Sequence, residues 1–152
     1  MPSSYGVPTD GSGAERLPWS WAVERLAAAR NYWVCTTRAD GRPHTAPVWG
    51  IWLDDALWFS TARASQKGRN LAREPSLVAH LESGDETVIL EGEAEDVRDP
   101  AALGRFADAY AEKYDFRPDP TAPASAVYRL RPRVAQTWRE RDYPQTATRW
   151  VF

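Results

Sequence analysis

The chain has 152 residues, a formal net charge of −2 and one cysteine, Cys35. This length suits a single domain that buries enough surface to fold without covalent staples, and a lone cysteine excludes an internal disulfide framework. No apolar run approaches the ~18 residues of a membrane span and nothing is laid out like a signal peptide, while the near-neutral balance argues against non-specific nucleic-acid binding. The expectation is a cytoplasmic protein with a small-molecule partner, and neither nucleic acid nor membrane.

Residues 1–18, rich in Gly, Ser and Pro with little to bury, read as a disordered tail, and 19–152 as one domain. Trp19, Ala22, Val23 and Leu26 fall at helical spacing and predict a short amphipathic helix over about 20–30. A strand follows over Tyr32–Arg38, then an Asp40-Gly41 turn and a second strand over Pro43–Leu53. Pro47 marks that second strand as irregular or as an edge. A third strand carries Leu57–Thr61. A short helix runs from Ser65 to Arg73, stopped before Pro75. Residues 76–83 and 86–98 form a hairpin turning near Gly84-Asp85. Asp99-Pro100 opens a helix to about Tyr114. After a Pro-rich loop come strands over 126–132 and 133–141 and an aromatic ending. Short antiparallel strands with helices as inserts suit a small barrel, in which closing the sheet removes exposed edges.

The stretch Trp58–Leu71 gathers Ser60, Thr61, Arg63, Ser65 and Lys67 with no acidic residue among them. If Ser65 caps the short helix, Lys67 lies in its first turn, one turn before Leu71 and on the same face. An ammonium held at the positive end of a helix dipole is unfavourable unless an anion joins it. Free first-turn amides, the Thr61 and Ser65 hydroxyls and the Arg63 and Lys67 cations would converge on such an anion. At about 1.5–3 kcal/mol per charge-assisted bond, three or four would hold a ligand near micromolar affinity. The plain alternative is that Lys67 snorkels and Arg63 is solvated. Of the two lysines Lys67 is one; every other basic residue bar the histidines is arginine, the better fork for phosphates. Eight tryptophans offer platforms for a flat ring, or simply core. The Pro47-Val48-Trp49 segment would run beside the third strand and offer backbone groups to a ring edge.

The span Tyr32–Val97, above all "GRPHTAPVWGIWLDDALWFSTARASQKGRNLAREPSLVAHL", resembles the pyridoxamine 5′-phosphate oxidase-like family of flavin and deazaflavin proteins. The resemblance implies a mainly β fold with short helices, a split β-barrel of the FMN-binding type, assembled as a homodimer with its sites at the interface. It implies that Ser60, Thr61, Ser65 and Lys67 hold a cofactor phosphate, with Gln66 where a second basic residue is often found. It also implies that Trp138 and Arg149, in the closing segment, reach the cofactor from the partner chain. The cofactor would perform the redox step. No catalytic side chain and no metal ligand is nominated. His44 and His80 lack metal-site spacing.

Thr45 and Ala46 stand where the vitamin oxidases usually carry basic residues, and no histidine follows His80. Both departures point away from pyridoxamine phosphate oxidation. FMN ends in one compact dianion, whereas coenzyme F420 carries a phosphodiester and a polyanionic glutamate tail, which suits the spread of Arg63, Lys67, Arg69 and Arg73. The expectation is F420-dependent hydride transfer to a small unsaturated organic substrate. FMN-dependent oxidoreduction is the alternative, and a non-catalytic flavin or haem binder, with His80 as first haem suspect, the rival.

Overall fold

The computed structural model describes residues 16–152. Most of the tail expected over 1–18 therefore lies outside the described residues, and Leu17, at its end, is buried. Helix α1 (Trp19–Ala28) buries Ala22 and Leu26, one turn apart. Its Trp19 meets Trp52, Trp150 and Phe152 edge-on or tilted.

Eight antiparallel strands follow: β1 (Tyr32–Thr37), β2 (Pro43–Val48), β3 (Gly50–Leu53), β4 (Ala56–Ala62), β5 (Ser76–His80), β6 (Glu86–Asp96), β7 (Ser125–Arg139) and β8 (Thr148–Val151). They form one sheet in the order β2-β1-β5-β6-β7-β4-β3, with β8 added on β7. The two terminal strands of this order, β2 and β3, are joined by the single residue Trp49. One residue bridges at most ~7 Å, so the sheet has to curl until its ends meet. That is the split barrel expected from the sequence, with a chain corner where a closed barrel would have a ladder.

Two predicted boundaries shift. The strand expected over 43–53 breaks at Trp49, two residues after Pro47, and Pro47 does lie on a terminal strand. The two strands expected over 126–141 are one strand, β7. Its Pro132 stands opposite Gly92, where the β6–β7 register shifts. A bulge tolerates the missing proline N–H. Gly92 is required there, since a Cβ would lie 2.8 Å from the Arg131 carbonyl. The aromatic ending, left unassigned from sequence, pairs Val134–Thr137 as β8.

Alternation decides what is buried. Tyr32, Val34 and Thr36 point inward from β1, as do Leu77, Ala79, Val88, Leu90 and Ala135 from the neighbouring strands. Glu93 and Glu95 of β6 face outward, onto Arg133 and Arg129. A second core lies outside the sheet, where helix α3 (Pro100–Tyr114) lays Leu103 and Phe106 on Ile51 and Trp58. Asp99 caps α3 by accepting the Ala102 N–H at 2.8 Å, with Pro100 in the first turn as predicted. Helix α2 (Gln66–Arg73) and the short α4 (Tyr143–Thr146) complete the fold. Among the described residues no helix is long and apolar enough to cross a membrane.

A polar knot fixes the corner after Trp49. The Gly50 carbonyl accepts from Lys113 Nζ at 2.9 Å and from Tyr114 Oη at 2.7 Å, and the Gly50 N–H donates to Tyr114 Oη at 2.9 Å. Lys113 also donates to Tyr32 Oη at 2.8 Å, and the Tyr32 hydroxyl donates to the Leu26 carbonyl. Burial pushes the Lys113 ammonium down to about 8 and pushes the Tyr32 hydroxyl up. With its pKa lowered on folding, Lys113 binds fewer protons folded than unfolded above about pH 8. Its contribution to stability therefore grows from pH 8 toward 10. The raised Tyr32 hydroxyl has the opposite effect, but only above its ordinary value near 10. An NMR titration of Lys113 Cε is expected to show a midpoint near 8, and Lys113→Met to flatten stability between pH 8 and 10. A midpoint above 10 contradicts the knot.

Candidate functional site at the elbow between β4 and α2

The elbow is held by its own hydroxyls. Ser65 Oγ donates to the Ala62 carbonyl at 2.7 Å and accepts the Gly68 N–H at 3.1 Å, so Ser65 is the N-cap of α2. Thr61 Oγ1 lies 3.1 Å from Ser65 Oγ and is buried beneath it. A Cβ at Gly68 would stand 2.4 Å from the Ala62 carbonyl oxygen and 2.8 Å from that of Arg63. The first turn of α2 thus lies hard against the end of β4, a closeness only glycine permits. That turn keeps helix amides without intrahelical acceptors.

The far side of α2 is moored to β1. Asn70, 2% exposed, donates to Thr36 Oγ1 at 2.9 Å and accepts from Gln66 Nε2 at 2.8 Å. Leu71 is buried as predicted. Thr36 is the cross-strand partner of His44 on β2, and directly opposed residues share a face. His44 therefore lies with Thr36 under α2, where the Lys67 charge acts on it. Lys67 is half-buried, and its ammonium makes no hydrogen bond or ion pair among the described residues. The same holds for the Arg38 guanidinium in the β1–β2 turn, which also acts on His44. Burial first, then the Arg38 and Lys67 charges, hold the His44 imidazole below its usual range.

The structure sorts the predicted site residues. It brings Thr61, Ser65, Gln66 and Lys67 together at the elbow. Ser60 falls on the other face of β4, the α3 side it shares with Trp58. Arg63 turns to the same side and binds Asp96 through both nitrogens at 2.9 and 3.3 Å. Burial alone would raise the Asp96 carboxyl, but hydrogen bonds from Arg63 and Arg98 outweigh it and hold the group low. Both arginines line a cleft of about 350 Å³ beside α3. Arg69 donates to the Ala64 carbonyl at 2.5 Å and to Gln66 Oε1 at 2.9 Å, and Arg73 to the Thr37 carbonyl; neither has a carboxylate partner among the described residues.

Pro47 is exposed and Val48 buried at the end of β2. As a terminal strand of the sheet order, β2 has one flank without a ladder partner. Trp49 is 37% exposed, stacked on Tyr114 at 4.6 Å and 3°, with the Arg30 guanidinium 4.8 Å from its ring. Its indole is thus part of the corner. Trp138 and Arg149 lie elsewhere. Trp138 packs edge-on against Tyr143 and donates to Glu140 Oε2 at 3.2 Å, and Arg149 is exposed opposite Gln136. On β7 the elbow residue Thr61 pairs Ala126, so roughly 40 Å of strand separates it from Trp138. His80 is half-buried with Nδ1 on the Leu81 carbonyl, 2.8 Å away. Arg38 and Asn70 escaped the sequence reading, and His44 was weighed there only as a metal ligand. The alternation of Thr36 with Arg38's turn and His44 was the available signal, but only the register reveals it.

With this geometry the family can be stated. Residues 22–139 match the pyridoxamine 5′-phosphate oxidase family model, and the chain belongs to that family. A conserved hypothetical protein of Mycobacterium tuberculosis superposes with a TM-score of 0.75 at 26% identity, over 88% of this chain and 92% of that one. An F420 reductase superposes at 0.59 with 24% identity, over 74% and 94%. A haem binding protein of Mycobacterium smegmatis gives 0.67 at 20%, over 89% and 59%. No curated protein matches the sequence. The two last likenesses, below 25% identity, establish the fold alone.

Gly68→Ala is expected to cost about 2–3 kcal/mol, because the oxygens a methyl group would meet are backbone. Denaturant unfolding checks this, and an unchanged midpoint contradicts the tight elbow.

Proposed function

We propose that the elbow holds the phosphodiester of coenzyme F420 and that the protein is an F420-dependent oxidoreductase acting on a small unsaturated organic molecule. The observation that carries the reading is charge. Arg38, Lys67, Arg69 and Arg73 gather on α2 and the adjoining turn with no carboxylate partner among the described residues. Four cations outside any ion pair, spread along α2 and the adjoining turn, suit a phosphodiester with a glutamate tail better than one compact dianion. Arg63, neutralised by Asp96, is left out of the cradle. Lys67, the α2 amides and the Ser65 cap fit a phosphoryl group, and Gln66 and Thr61 brace them.

The ring would lie along β2. Pro47 is three residues beyond His44, about 10 Å of strand, and the free flank of β2 offers backbone groups from Pro47 and Val48 to a ring edge. Trp49 supports that segment through the corner. When bound, the deazaflavin supplies hydride transfer. The protein's part is to bind and orient it and to cover it from water.

A homodimer completes this reading. Trp138 and Arg149 lie far from the elbow of their own chain, and in this reading a second copy brings them to it. Trp33, Cys35, Val78, Ile89 and Val134 line the outer sheet face and are only half-buried in one chain. That face is the surface a second copy would cover.

Tryptophan fluorescence titration tests the proposal. F420 is expected to bind more tightly than FMN, and Lys67→Ala to weaken F420 at least tenfold. Tighter FMN binding points to the FMN-dependent alternative, a Soret band in the purified protein to a haem binder, and an unchanged Lys67→Ala affinity removes the cradle.

A further inference from the structure

Among the described residues, His44 Nδ1 is the one buried side-chain polar atom without a hydrogen-bond partner. The ring itself is half-buried. It sits beside Thr36 of β1, whose hydroxyl is already taken by Asn70. Arg38 from the turn and Lys67 from α2 are the charges that act on it. The carboxylate of the turn, Asp40, is bound to Arg42 at 2.8 Å and feels the Arg38 charge without pairing with it, and Arg73, on the α2 side, rests on the Thr37 carbonyl. Two cations, neither in an ion pair among the described residues, thus act on an imidazole whose buried Nδ1 has no hydrogen-bond partner.

Resting on the F420 reading above, we propose that His44 is a further anion-binding residue of this site, taking up one proton as a phosphoryl group enters the space it shares with Lys67 and Arg38. In the free protein, burial and the two cations favour the neutral ring. An anion among the three groups reverses the balance, since an opposite charge within ~4–6 Å favours the protonated form. Nδ1–H then donates to a phosphoryl oxygen, and the orphaned atom acquires its partner. The proton comes from solvent, and no bond other than N–H is made. Because the bound-state pKa lies above the free one, affinity falls as pH rises between them, by up to tenfold per unit.

The test compares wild type with His44→Gln, which keeps a polar side chain without a titrating charge. F420 is titrated by tryptophan fluorescence from pH 6 to 8. Ionisation of the ligand affects both proteins alike, so the ratio of their dissociation constants is read. The expected ratio is about tenfold at pH 6 and shrinks toward unity at pH 8. Wild type alone gives a second readout: the NMR midpoint of the His44 imidazole rises when F420 saturates the protein. A ratio independent of pH, or a midpoint that stays put, overturns the role of His44. If Lys67→Ala still weakens binding in that case, the site stands without it. If F420 binding ignores Lys67 as well, site and inference fall together.

Discussion

The molecule depends on one short link. Strands β2 and β3 terminate the sheet at opposite ends, yet Trp49 alone separates them. The sheet must therefore curl, and its two ends become neighbours. Gly50, just past the link, is held by Lys113 and Tyr114 from α3, while Trp49 stacks on Tyr114. Helix α3 packs outside the barrel through Phe106 against Trp58 and Leu103 nearby, and so clamps the corner from the second core.

The proposed cradle is a consequence of that curl. Lys67 and the Ser65 cap come from β4–α2, next to one end of the sheet, while Arg38 and His44 come from β1–β2, at the other. Helix α2 spans the gap, pinned to β4 by the close approach at Gly68 and to β1 by the buried Asn70–Thr36 bond. A buried hydrogen bond of this kind contributes about 1 kcal/mol, and an orphaned partner costs about 1–3 kcal/mol. The mooring therefore matters more for where Lys67 points than for total stability.

Local signals carried much of this into the sequence. Ser65 before a Gln-Lys-Gly turn and Asp99-Pro100 before an apolar stripe are capping patterns, and both helices begin where they indicate. What the sequence hid was settled by distant partners. Pro132 reads as a strand break until Gly92, forty residues earlier in the chain, supplies a bulge for it. Arg63 reads as a phosphate ligand until Asp96 arrives from the neighbouring hairpin. His44 looked bland because nothing near it in sequence announces that Thr36, Asn70 and Lys67 converge there. The aromatic ending gave no sign of β8, because its pairing is dictated by β7 alone.

Membership of the pyridoxamine 5′-phosphate oxidase family fixes the barrel, and the unpaired cations around α2 supply the argument for what occupies it. The most direct test is a crystal structure of the protein with coenzyme F420. The account predicts the phosphodiester within ~2.7–3.2 Å of Lys67 Nζ, against the first turn of α2, with the ring along the free flank of β2. A complex in which the ligand lies away from α2 and the Lys67 amine is surrounded by solvent would contradict it.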